Sequence, residues 1–170
     1  MTAIYQEGKY QIDCSSALWS TNEINSCYHS AGVKLKDVDW IIEDDDYIYL
    51  VEYKNALANN TKESKEFAPN EDKKRDAVVQ KFYDSLHYLY LKGKSKKRKY
   101  IYVVEAIGLD PTMRKKLKKN LRSNLPFKLQ ENISNSVKLI EDLDVLSIDD
   151  WNKDDVYGKY PISQVSCSDS

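Results

Sequence analysis

The sequence predicts a mixed α/β domain, a central mixed sheet flanked by helices, and three observations carry that expectation. Residues 38–43 and 47–53 are apolar and rich in β-branched and aromatic side chains, with Asp44, Asp45 and Asp46 between them. They read as two strands joined by a tight acidic turn, because short acids bond their own backbone. Residues 73–91 carry Val78, Val79, Phe82, Tyr83, Leu86, Leu89 and Tyr90 as a broad apolar stripe at helical spacing. Residues 100–105 are a nearly continuous apolar run, which suits a central strand covered on both faces.

The other elements follow in chain order. Residues 2–13 read as a small hairpin ahead of the core, with Ile4, Tyr10 and Ile12 extended and Glu7-Gly8-Lys9 as its turn. Residues 15–31 read as a helix on the spacing of Ala17, Leu18, Ile24, Cys27, Tyr28 and Ala31, and Gly32 stops it. Ser20 to Glu23 has the form of a capping box and marks a break there. Residues 33–36 read as a short first strand or its approach. Residues 59–72 contain Asn59, Asn60, Pro69 and Asn70 and read as a long mobile loop. Residues 92–99 read as a basic loop. Pro111 opens a second helix running to about Leu125, with Met113, Leu117 and Leu121 on its apolar side. Residues 137–148 read as a strand region that extends the sheet near 144–148. Asp149, Asp150 and Trp151 begin a short acidic helix, and residues 163–170 form a loose tail.

At 170 residues the chain reads as one domain, residues 1–170, long enough for a sizeable core. No apolar run approaches a membrane span, and the amino terminus lacks a signal peptide's basic and apolar regions. Cys14, Cys27 and Cys167 have no metal spacing and an odd count, so they read as reduced thiols of a cytoplasmic protein. Only His29 and His87 are present, which supplies triad and zinc-hydrolase chemistry poorly. His87 reads as a surface or packing histidine.

Charge is distributed unevenly behind a net of −1. Residues 92–122 hold twelve Lys or Arg against Glu105 and Asp110, a local charge of +10. Nucleic-acid binders often carry a basic patch inside a near-neutral total. Lys96, Lys97 and Arg98 in the loop and Lys115, Lys116 and Lys119 on the helix are the candidates for phosphate contact. Two solvated basic elements without a ligand explain the same run.

The acidic hairpin carries the candidate chemistry. Strand side chains alternate, so Ile48, Leu50, Glu52 and Lys54 share one face and Tyr47, Tyr49, Val51 and Tyr53 the other. The preceding strand folds back across the turn and brings Asp39 close to Glu52; Asp37 shares Asp39's face. Mg²⁺ favours oxygen, usually one or two carboxylates plus water and substrate phosphate, and the Tyr53 carbonyl supplies one more oxygen. Lys54 would stand beside the metal-bound water and the scissile phosphate, where it orients the one or stabilises charge on the other. The competing reading is an amphipathic hairpin with solvated charges. An acid on the face of Ile48 and Leu50 argues against it.

Asp39, twelve intervening residues and then Glu52-Tyr53-Lys54 resemble the PD-(D/E)xK nuclease superfamily, over roughly residues 15–105. Val38 stands where the name-giving proline would be. The resemblance implies a restriction-endonuclease-like αβββαβ core and Mg²⁺-dependent cleavage of DNA, with Mn²⁺ able to substitute. It makes Asp39 and Glu52 metal ligands and Lys54 the catalytic lysine. It offers Glu23, on the first helix, as a further ligand, against the reading that Glu23 only caps that helix. It offers Gln80 and Lys81, on the helix after the E-x-K strand, as supporting residues, against a solvent-facing helix side. It sets the 59–72 loop beside the site.

The leading expectation is a metal-dependent deoxyribonuclease, endo- or exonucleolytic, with DNA as partner. One alternative is a catalytically inactive module of the same fold that binds nucleic acid or a protein in a defence or mobile-element system. Another is a small regulatory protein of such an operon, its acidic faces serving as protein-binding surface. No membrane is expected as partner, while a homodimer or an operon partner is compatible with the sequence.

Overall fold

The structure, a computed structural model, describes residues 2–58, 61–134 and 136–166. The strands are β1 (Ile4–Glu7), β2 (Tyr10–Asp13), β3 (Trp19–Thr21), β4 (Trp40–Glu43), β5 (Tyr47–Asn55), β6 (Lys97–Glu105), β7 (Asp142–Leu146) and β8 (Ile162–Gln164). The helices are α1 (Ile24–Ser30), α2 (Lys62–Lys65), α3 (Asp72–Leu91), α4 (Pro111–Asn124), α5 (Phe127–Ile133) and α6 (Ile148–Lys153). Five strands make a mixed sheet in the order β3-β4-β5-β6-β7, and β1-β2-β8 make a second, smaller sheet. β3, β4 and β5 pair antiparallel, while β5, β6 and β7 run parallel. Parallel neighbours need crossovers, which α3 supplies between β5 and β6, and α4 with α5 between β6 and β7.

Period-two alternation divides the core into two layers. Ile48 and Leu50 of β5 and Tyr100, Tyr102 and Val104 of β6 pack with Ile24, Tyr28, Val79, Phe82, Leu117 and Leu121 of the helices. Tyr49, Val51, Ile101 and Val103 face the other way, onto Ile12 and Ile162 of the small sheet and onto Trp151 of α6. β6 is buried on both faces, as its apolar run predicts. The acidic turn also forms as read. Asp44 Oδ1 accepts the N–H groups of Asp46 (2.9 Å) and Tyr47 (2.8 Å), and Oδ2 accepts the Tyr49 hydroxyl (2.6 Å).

Several elements differ from their sequence reading. Residues 15–31 are not one helix: β3 occupies part of the span and α1 begins only at Ile24. Ala17 packs toward the small-sheet side of the core and Ile24 toward the helical side, so no single helix could bury both. The capping box does not form. Glu23 makes no side-chain cap, and its N–H donates to Thr21 Oγ1 (3.1 Å). Gly32 ends the helix at φ +68°, as its backbone freedom allows. Residues 33–36 pair with no strand. Within 59–72 the short α2 stands where an unbroken loop is expected, and Asn59 and Asn60 lie outside the described residues. Lys97, Arg98 and Lys99 begin β6 instead of lying in a loop, since their strand pairs with residues 47–49. Only Asp142–Leu146 of 137–148 is strand. Ser163 and Gln164, expected in the tail, belong to β8, while Cys167 lies outside the described residues. Among the described residues no helix is long and apolar enough to cross a membrane.

Candidate functional site

Local geometry brings the two predicted carboxylates together. β4 pairs with β5 through Trp40 and Val51, so one step further the chain sets Asp39 level with Glu52. Asp39 Oδ2 accepts the N–H of Tyr53 at 2.7 Å, which fixes the carboxylate at the end of the ladder. A strand residue's N–H and C=O point to the same side, so the Tyr53 carbonyl also faces Asp39.

Glu52 is 6% exposed, on the helical side of the sheet, beside Tyr102 in register. Its Oε1 takes a 2.7 Å ion pair from Lys81 Nζ of α3. Its Oε2 is buried and has no hydrogen-bond partner. Burial first, and the charge of Asp39 second, push the Glu52 carboxyl well above the usual range; Lys81 opposes both. Burial likewise raises Asp39 to about 6, against the pull of Lys81 and the Tyr53 N–H. Burial alone would lower the Lys81 ammonium, but Glu52 and Asp39 outweigh it and hold it above its ordinary value. The centre is therefore a short-range lattice of two carboxylates and one lysine with one oxygen unmatched. A buried carboxylate oxygen without a donor is costly and invites a cation.

Asp39 and Lys81 line a cleft of about 360 Å³ together with Glu7, Asn22, Asn25 and Asp37, while Glu52 lies buried behind them and does not line it. Asn25 Nδ2 donates to Asp37 Oδ1 (3.1 Å). The extended run before Asp39 has no strand neighbour, and α3 satisfies its backbone instead. Lys36 N–H donates to Asp84 Oδ2 (2.8 Å) and Val38 N–H to Ser85 Oγ (3.0 Å).

The other candidates lie as follows. Lys54 shares the strand face of Glu52 but is exposed, and its Nζ stands 5.4 Å from the Phe67 ring centre. Lys81, not Lys54, is the cation that touches Glu52, and its charge also acts on Asp39. Gln80 donates to Asp84 Oδ1 (2.7 Å) and so supports the anchor of the 33–39 run. Glu23 is exposed and lines a separate opening with Trp19, Tyr88 and Lys92. Lys96 is engaged at the other end of the sheet, 3.2 Å from Glu43, with Lys97 exposed and Arg98 half-buried nearby on β6. Lys115, Lys116 and Lys119 are exposed on α4.

Sequence reasoning did not single out Glu7, Asn22 or Asn25. Glu7 carries no local signal, because it meets Asp39 only through the packing of the small sheet on the large one. Among the described residues no three His, Cys, Asp or Glu side chains stand close enough to hold an ion by themselves. Two carboxylates and a carbonyl still suit Mg²⁺, which keeps several waters. Compared with protein-family models, curated proteins and solved structures, the chain matches none.

Proposed function

We propose that this protein is a metal-dependent deoxyribonuclease of the PD-(D/E)xK type, hydrolysing DNA phosphodiester bonds with Mg²⁺ or, in its place, Mn²⁺. The observation that carries the reading is the pairing of Asp39 with Glu52 around a buried, unpartnered Glu52 oxygen. Asp39, Glu52 and the Tyr53 carbonyl would hold the ion. When bound, such an ion acidifies a water and neutralises charge on the attacked phosphate. Lys81 orients Glu52 and opposes the rise that burial and Asp39 impose on its carboxyl. Lys54, on the same face and exposed, is the group available to a substrate phosphate.

The strand order is consistent with the αβββαβ core in its β4-β5-α3-β6 part, with one difference: β3 precedes α1, so the helix enters after the first strand. The basic residues of α4 provide a sequence-independent hold on DNA.

One observation favours a second reading. Lys81 already pairs with one of the two Glu52 oxygens without any metal, which suits an inactive nuclease-fold module that binds nucleic acid or a protein partner. Incubation of duplex, single-stranded and branched DNA with Mg²⁺ or Mn²⁺ decides between them. The nuclease reading expects cleavage of at least one substrate by wild type and none by Glu52→Ala. Retention of DNA without cleavage by either protein supports the inactive module.

A further inference from the structure

The N-terminal hairpin lies outside the nuclease-like part of the chain, yet its turn borders the candidate site. β1 ends at Glu7, which pairs in register with Tyr10. The Tyr10 ring lies 6.3 Å from that of Tyr53, the middle residue of Glu52-Tyr53-Lys54. That contact ties the hairpin to the strand carrying the site. Glu7 consequently lines two neighbouring clefts: one with Asp37, Asp39 and Lys81, the other with Lys9, Tyr53 and Lys54.

Acidic neighbours alone would say little. The second observation is Glu52 Oε2, buried and unpartnered within reach of the same charges, since both Asp39 and Asp37 act on Glu52. Glu7 in turn acts on Asp39. Glu7 and Asp37 thus both act on Asp39, and Asp39 in turn acts on Glu52. Nothing in the hairpin's own stability calls for an acid there: Glu7 is exposed at a strand end and enters none of the ion pairs among the described residues.

We infer that Glu7 is a further residue of the metal site, an outer carboxylate that holds the hydrated divalent ion through its water shell above Asp39 and Glu52. The inference rests on the metal-site reading above. A hydrated Mg²⁺ or Mn²⁺ presents water protons outward, and a carboxylate one water away accepts them without displacing a ligand. This fits a site where no three acids converge closely enough to ligate directly.

The test is calorimetric titration of the full chain with Mn²⁺, with no DNA present. Glu7→Gln should weaken binding about 5-fold at low salt, with the stoichiometry of wild type. Glu7→Lys should weaken it further, and the loss for Glu7→Gln should shrink at high ionic strength, because the group is exposed. Glu131→Gln, an exposed acid on α5, should change nothing. Melting curves of each metal-free variant guard against a folding effect. Wild-type affinity in both Glu7 variants, with binding abolished in Glu52→Gln, overturns this inference and leaves the metal site standing. Absence of Mn²⁺ uptake by wild type overturns the metal site and this inference together.

Discussion

Asp39 and Glu52 are held in a state that metal-free protein tolerates poorly. The Asp39 carboxyl ionises near 3.8 when unperturbed and near 6 in the fold, chiefly because it is buried. Between those values the folded protein holds more protons than the unfolded chain, so this contribution to stability falls as pH rises from about 4 to about 6. Glu52 is raised by burial and by Asp39, and shifts the balance the same way. Metal-free protein should therefore lose stability over this window, and Asp39→Asn should flatten that part of the profile in a melting series. Saturating Mg²⁺ should reverse the slope for wild type, because the ion binds only ionised carboxylates. A second residue-scale expectation concerns Lys81. Lys81→Met strands a buried acid and should cost about 1–3 kcal/mol, or about 2–4 °C of melting temperature per kcal/mol. Adding Glu52→Gln should recover part of that loss, giving a non-additive cycle by denaturant titration.

At the scale of elements, the site depends on how α3 holds a segment that is not itself regular. The 33–39 run approaches β4 without a strand partner, and its amides go to side chains of α3: Lys36 to Asp84 and Val38 to Ser85. Tyr28 of α1 adds a hydroxyl bond to the Asp84 carbonyl (2.5 Å). Ser85→Ala should leave the buried Val38 N–H unpaired, at a cost of about 1–3 kcal/mol. The urea midpoint should fall at unchanged m-value, and Mn²⁺ affinity should fall with it, since Asp39 follows Val38 directly. This anchor was not legible in the sequence. Asp84 falls on the polar side of the α3 pattern with Gln80 and His87, yet it is buried, because its partner lies 48 residues upstream. Tyr90, which belongs to the apolar stripe by spacing, is 83% exposed, and Tyr88, which does not, is buried. β5, α3 and α4 were legible because each carries its own periodicity, and β6 because its apolar run is nearly continuous. β3 was not: three residues are too few to show alternation, and what makes them a strand is pairing with β4. The Asp39–Glu52 pair was legible for the same reason as the hairpin, whose turn fixes the register.

Across the whole molecule the +10 segment divides into unequal parts. Lys94 and Lys96 are engaged by Glu43, Arg114 by Glu105, Lys118 by Asp144 and Arg122 by Asp142. Lys97 pairs in register with Tyr47, five residues before Glu52 on a parallel neighbour. At a strand's rise that is roughly 17 Å from the carboxylates, too far to share a phosphate with them. Lys115, Lys116 and Lys119 differ from both groups: they are exposed on α4, among the described residues they enter none of these ion pairs, and α4 begins six residues beyond the end of β6 at Glu105. β5 ends at the same edge, level with Glu105, and carries Glu52 and Lys54 near that end. If DNA reaches the site across this edge, those three lysines neutralise its backbone and release counterions. Replacing all three with Ala should weaken binding to every sequence about equally and flatten the plot of log affinity against log salt by about 0.9 per lost phosphate contact. Cleavage of DNA already bound should persist, because none of the three touches Asp39, Glu52 or Lys81. Lys97→Ala should change the slope by one contact at most and leave site occupancy alone. Unchanged affinity and slope in the triple variant would assign α4 to a merely solvated outer face and move the DNA path to the exposed side of α3.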